Sequence, residues 1–108
     1  MIKDQHKIEI IGNWDVYIKT PFGETKAIAL IKEDDVTISG TINGENGSFD
    51  FDNGTIVENI FVFSATIDTP IKATISVSAV IEDHAFEGKL MIDEYLTMNI
   101  LGKKNVNI

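Results

Sequence analysis

Apolar and polar residues alternate with a period of two along most of the chain, and almost nowhere at the 3.6-residue spacing of a helix. β-Branched residues are abundant throughout, as pleated, half-buried strands require. The cleanest stretch is 71–81, where Ile71, Ala73, Ile75, Val77, Ala79 and Ile81 alternate with Lys72, Thr74, Ser76 and Ser78. Such a strand lays one row of side chains on a core and turns the other to solvent. The same reading predicts strands over 10–19, 24–32, 36–43, 48–51, 60–67, 85–92 and 95–101. In the first, Trp14, Val16 and Ile18 share one face, and Asp15, Tyr17 and Lys19 the other. Residues 55–57 either open the 60–67 strand, broken at Glu58-Asn59, or form a strand of their own.

Turn chemistry separates these segments. In Thr20-Pro21-Phe22-Gly23 the proline fixes φ and the glycine is free to take a positive one. Asp52-Asn53-Gly54 carries the Asn-Gly pair of a tight hairpin. Acidic turns follow at Glu33-Asp34-Asp35, Glu82-Asp83-His84 and Asp93-Glu94. An internal echo links Thr20-Pro21, Asp34-Asp35 and Gly40 to Thr69-Pro70, Asp83-His84 and Gly88, which suggests two related meander units. A meander leaves two open edges, and closing the sheet removes both. The expected fold is therefore all-β, a small antiparallel up-and-down β-barrel of about eight strands, with a two-sheet sandwich as the alternative. A chain of 108 residues fits one domain. It is expected over 10–102, between a flexible N-terminal segment at 1–9 and a tail at 103–108.

Composition narrows the function classes. With no cysteine, thiolate chemistry, disulfides and cysteine-ligated zinc are excluded. A net charge of -8 repels phosphate backbones and anionic lipid, so nucleic acid is not an expected partner. No run approaches the 18 apolar residues of a spanning helix, and the charged start of the chain lacks the pattern of a secretion signal. The expectation is a cytoplasmic protein with no membrane partner.

Gly12-Asn13-Trp14 on the first strand resembles the opening signature of the calycin superfamily, which includes lipocalins, fatty-acid-binding proteins and avidins. Ile38-Ser39-Gly40-Thr41 is similar to a stretch of avidin-like barrels. Trp14-Asp15-Val16, Thr20-Pro21-Phe22-Gly23, Ser39-Gly40-Thr41, Gly47-Ser48 and Phe63-Ser64-Ala65-Thr66 with Thr69-Pro70 together resemble a family of small bacterial barrels of uncharacterised function, over about residues 10–102. The resemblance implies a tryptophan plugging one barrel end, with a basic residue near the last strand packed across it. Where those barrels carry a Gly-Asp turn and a terminal arginine, this chain has Asp83-His84 and Lys103-Lys104, so that role falls to a lysine. It also implies a non-catalytic binding barrel, for a small apolar ligand or a protein partner.

Candidates for chemistry are few. Asp50-Phe51-Asp52-Asn53-Gly54 resembles the start of a calcium loop, but the twelfth position is Phe61 rather than a carboxylate, so a hairpin is expected and no metal. An enzyme would draw on His84 and a carboxylate at a barrel end, yet no convergent set of polar groups is visible, and the expectation is no enzyme and no cofactor. His6 falls in the N-terminal segment, and the acidic pairs Asp34-Asp35 and Asp93-Glu94 read as solvated turns. Trp14, Phe49, Phe51, Phe61, Phe63 and Phe86 read as core, in a barrel with little room for a cavity. Trp14, Tyr17 and Tyr95 are the candidate ligand-binding residues, the tyrosines as polar handles at a barrel mouth. A structural domain that pairs with a second copy through its outer face, giving a homo-oligomer, is the other functional class.

Overall fold

The computed structural model describes residues 9–34, 37–45, 47–68 and 72–105. It is a closed antiparallel barrel of eight strands in chain order. They are β1 (Gly12–Thr20), β2 (Gly23–Asp34), β3 (Thr37–Gly44), β4 (Gly47–Val57), β5 (Ile60–Ile67), β6 (Ala73–Glu82), β7 (Ala85–Ile92) and β8 (Leu96–Lys104). β8 pairs with β1, so no edge is left and the sandwich alternative does not form. Residues 1–8, Asp35, Val36, Asn46, Thr69, Pro70, Ile71 and 106–108 lie outside the described residues, and with them His6 and the Thr69-Pro70 turn.

The period of two places most of the core. β6 buries Ile75, Val77, Ala79 and Ile81 and exposes the residues between them. The aromatic centre is Phe51, stacked on Phe63 at 3.9 Å between centroids, with Phe61 edge-on to Phe51 at 6.1 Å. The internal echo is also spatial. Gly40 faces Ile31 and Gly88 faces Ala79, each glycine three residues into its strand and opposite a residue three short of the preceding strand's end.

Three differences from the sequence expectation go beyond a residue or two at a strand end or change what a turn does. The first strand begins at Gly12, because Glu9 and Ile10 are helical rather than extended. The last begins at Leu96 and continues through Lys103 and Lys104, which pair with Asp15 and Trp14. The largest correction concerns Asp52-Asn53-Gly54, which is no hairpin: β4 runs straight through it. Phe51 pairs with Gly40 and Gly54 with Ile38, so three steps on β4 match two on β3, a β-bulge. Asn53 then reaches sideways: its Oδ1 accepts the Ser64 N–H and its Nδ2 donates to Ser64 Oγ, both at 3.0 Å, extending the β4–β5 ladder beyond its three backbone pairs. Gly54 is needed for close approach, since a Cβ there would lie 2.7 Å from the Ile38 carbonyl oxygen. The turn joining β4 to β5 is Glu58-Asn59, with Glu58 at φ 56°, so 55–57 belongs to β4 and 60–67 is a separate strand.

A second close approach ties β8 to the core. Phe86 lies across Gly102, its register partner, where a Cβ would overlap the ring. Gly102→Ala is expected to destabilise by about 1–3 kcal/mol through overpacking. In a Phe86→Leu background most of that cost should vanish, giving a coupling of about 1 kcal/mol or more in a urea-denaturation double-mutant cycle. Additive costs would contradict this contact.

Candidate functional site

The two barrel ends are built differently. One end collects the start of β1, the β4–β5 and β6–β7 turns and the end of β8. There Trp14, Ile10, Ile38 and Ile81 are the largest fully buried side chains. Trp14 leans on Phe86 at 4.9 Å between centroids, and its indole N–H donates to the Ile10 carbonyl at 2.7 Å. Lys104 crosses above: its Nζ donates to the Glu9 carbonyl at 2.9 Å and lies 5.9 Å from the centre of the Trp14 ring. The Asn105 N–H also bonds the Asn13 carbonyl. This end is a sealed floor, and a lysine does pack across the tryptophan. A single ammonium–carbonyl bond stands where an arginine fork would make two.

At the opposite end Ile18, Ile42, Phe49, Ile67, Ile92 and Met98, one each from β1, β3, β4, β5, β7 and β8, are only partly buried. Each lies in the inward row close to the mouth-side end of its strand, so the wall stays apolar up to the rim. Below them lies an interior cavity of ≈ 50 Å³ lined by apolar side chains. Ile18, Ile42 and Phe49 connect it to the mouth, and Phe61, Phe86 and Ile100 are among its deeper walls. A site of this kind offers water no hydrogen-bond partner and stays dry. It can hold hydrocarbon and perform no acid–base chemistry.

The three sequence-predicted ligand residues are not brought together. Trp14 forms the floor beneath Phe86 and does not line the cavity. Tyr17 lies on the outer wall, between Lys26 of β2 and Leu101 of β8, with the Lys26 ammonium 5.9 Å from its ring centre. This follows from parity: Trp14, Val16 and Ile18 point inward, so Tyr17 points out. Tyr95 is 92% exposed in the β7–β8 turn and borders a wide outer groove with Thr74, Ser76 and Met91. The sequence reading missed the six rim residues as a set. Their inward parity was readable, but which barrel end stays open was not.

His84 is exposed in the β6–β7 turn, where its carbonyl accepts the Lys104 N–H. Among the described residues no hydrogen bond or ion pair joins its ring to a carboxylate, and no group of three or more His, Asp or Glu could hold a metal. Asp50 instead accepts the Thr41 hydroxyl at 2.7 Å, and Asp93 clasps β6 by accepting the Thr74 N–H. The Ser39 hydroxyl is buried without a partner beside the β4 bulge and does not line the cavity. No helix among the described residues is long and apolar enough to cross a membrane. The closed eight-stranded antiparallel barrel is compatible with a calycin-like fold. No protein-family model and no curated protein matches the chain.

Proposed function

We propose that this protein is a non-catalytic barrel that binds the apolar end of a small ligand through its open mouth. The observation that carries the reading is the apolar cavity continuous with a partly buried apolar rim, above a sealed floor. The calycin-like Gly12-Asn13-Trp14 start and Lys104 packed across Trp14 support it as an analogy of fold. In this reading the barrel works in the reducing cytoplasm, which its cysteine-free sequence suits.

Charge narrows the ligand class. The described mouth connections and their flanks carry Glu24, Glu45, Asp68, Asp93 and Glu94 against Lys19 and Lys72. A ligand leaving its polar group at the rim is therefore favoured as a neutral or cationic amphiphile over a carboxylate. The cavity of ≈ 50 Å³ has room for about two methylenes, a gain of about 1.6 kcal/mol, and the rest of a short chain would lie against the rim residues. Lost ligand freedom offsets this gain, so a bare short chain binds more weakly than about 1 mM and tighter binding requires contacts at the rim.

Native mass spectrometry of protein purified gently from its host tests this. The expected spectrum contains a noncovalent adduct lost on activation. Ala29→Val, which puts two methyl groups into the cavity wall, should deplete that adduct and raise stability by about 1 kcal/mol. An adduct unaffected by Ala29→Val would place the ligand elsewhere.

A further inference from the structure

The outer wall is charged nearly all the way round, with one break. Facing outward on β5 and β6 are the cross-strand pairs Ile60–Val80, Val62–Ser78, Ser64–Ser76 and Thr66–Thr74, none of them charged. Among the described residues no other neighbouring pair of strands has an outward face free of charge between its turns. The floor half of this face is aliphatic: Ile60 and Val80 are register partners, Val62 follows, and Val57, 70% exposed, pairs with Ile60 from β4. On a chain of net charge -8, a contiguous apolar and hydroxyl surface without charge marks a place kept for contact.

We infer that this face is a self-association surface, on which Val57, Ile60, Val62 and Val80 pack against the same residues of a second copy. The charge argument selects the occupant. A basic partner would be drawn to the acidic surface elsewhere, whereas a like-charged copy is repelled everywhere except over a neutral face. A two-fold axis through the aliphatic half brings apolar onto apolar, the self-complementary arrangement of an isologous dimer. Two strands about 4.8 Å apart and eight residues long, with the short paired end of β4 beside them, give a footprint of roughly 300 Å². Stable dimers bury about 800 Å² per partner, so the association is weak and concentration-dependent. Glu58, Glu82 and Glu87 border the patch on β4–β5, β6 and β7 against Lys89 beside Ser78, a net negative border that would approach its own counterpart, so added salt should tighten the dimer.

Sedimentation velocity over roughly 10 µM to 1 mM protein, at low and high salt, tests it. The expected result is a mass rising toward twice the 12.0 kDa of the chain, more steeply at high salt. Val62→Lys should weaken association at least about tenfold, and the more conservative Val80→Thr should weaken it measurably while preserving the strand. Leu30→Lys, on the outer face of β2, should leave it unchanged. A monomer at every concentration and salt, association weakened by salt, or equal effects of Val62→Lys and Leu30→Lys would each overturn the inference.

Discussion

Trp14→Ala is expected to remove about 3–5 kcal/mol of folding stability, much of what a domain of this size possesses. Two losses combine. The indole is fully buried against Phe86, so truncation leaves a cavity at the floor. The Ile10 carbonyl loses its N–H donor, and the Lys104 ammonium loses the ring it lies over. Trp14→Phe restores part of the volume but not the hydrogen bond, and should cost about 1–3 kcal/mol. Trp14 is the only tryptophan, so the series is followed by circular dichroism in urea rather than by fluorescence. A cost below about 1 kcal/mol for Trp14→Ala would mean the floor is not what closes the barrel.

Gly88→Ala is the second large effect, expected at about 3 kcal/mol or more. A Cβ at this position would overlap the Ser78 carbonyl oxygen and come within 2.5 Å of the Ala79 Cα. Both are backbone atoms of β6, so no side chain can swing aside, and the β6–β7 ladder itself must open. Gly44→Ala is the control: its Cβ would find nothing nearer than 3.6 Å, and it should change stability by no more than about 0.5 kcal/mol. Equal costs at the two positions would contradict the packing of β7 on β6.

Period-two alternation made the barrel readable, because each inward row is written locally, as in Ile75, Val77, Ala79 and Ile81. Asn53-Gly54 misled for a reason equally physical. The pair suits a hairpin, but here it serves a bulge whose partners, Ser64 and Ile38, lie on other strands. Tyr95 continues an apolar run and so read as strand, yet it falls in the turn between β7 and β8, where its N–H bonds the Ile92 carbonyl. Lys104 read as tail because its pairing with Trp14 spans almost the whole chain. The open end was unreadable for the same reason. It is fixed by which end Ile10, Trp14 and Lys104 seal, and that depends on closure of β8 onto β1.

The most direct test of the binding proposal is a methyl-resolved NMR titration with hexan-1-ol, hexylamine and hexanoate. The account predicts saturable shifts at the Ile18, Ile42, Ile100 and Val16 methyls with the alcohol and the amine, weaker shifts with hexanoate, and none at Val57 on the outer wall. Shifts confined to outer-wall methyls, or an interior that no ligand perturbs up to its solubility limit, would contradict it.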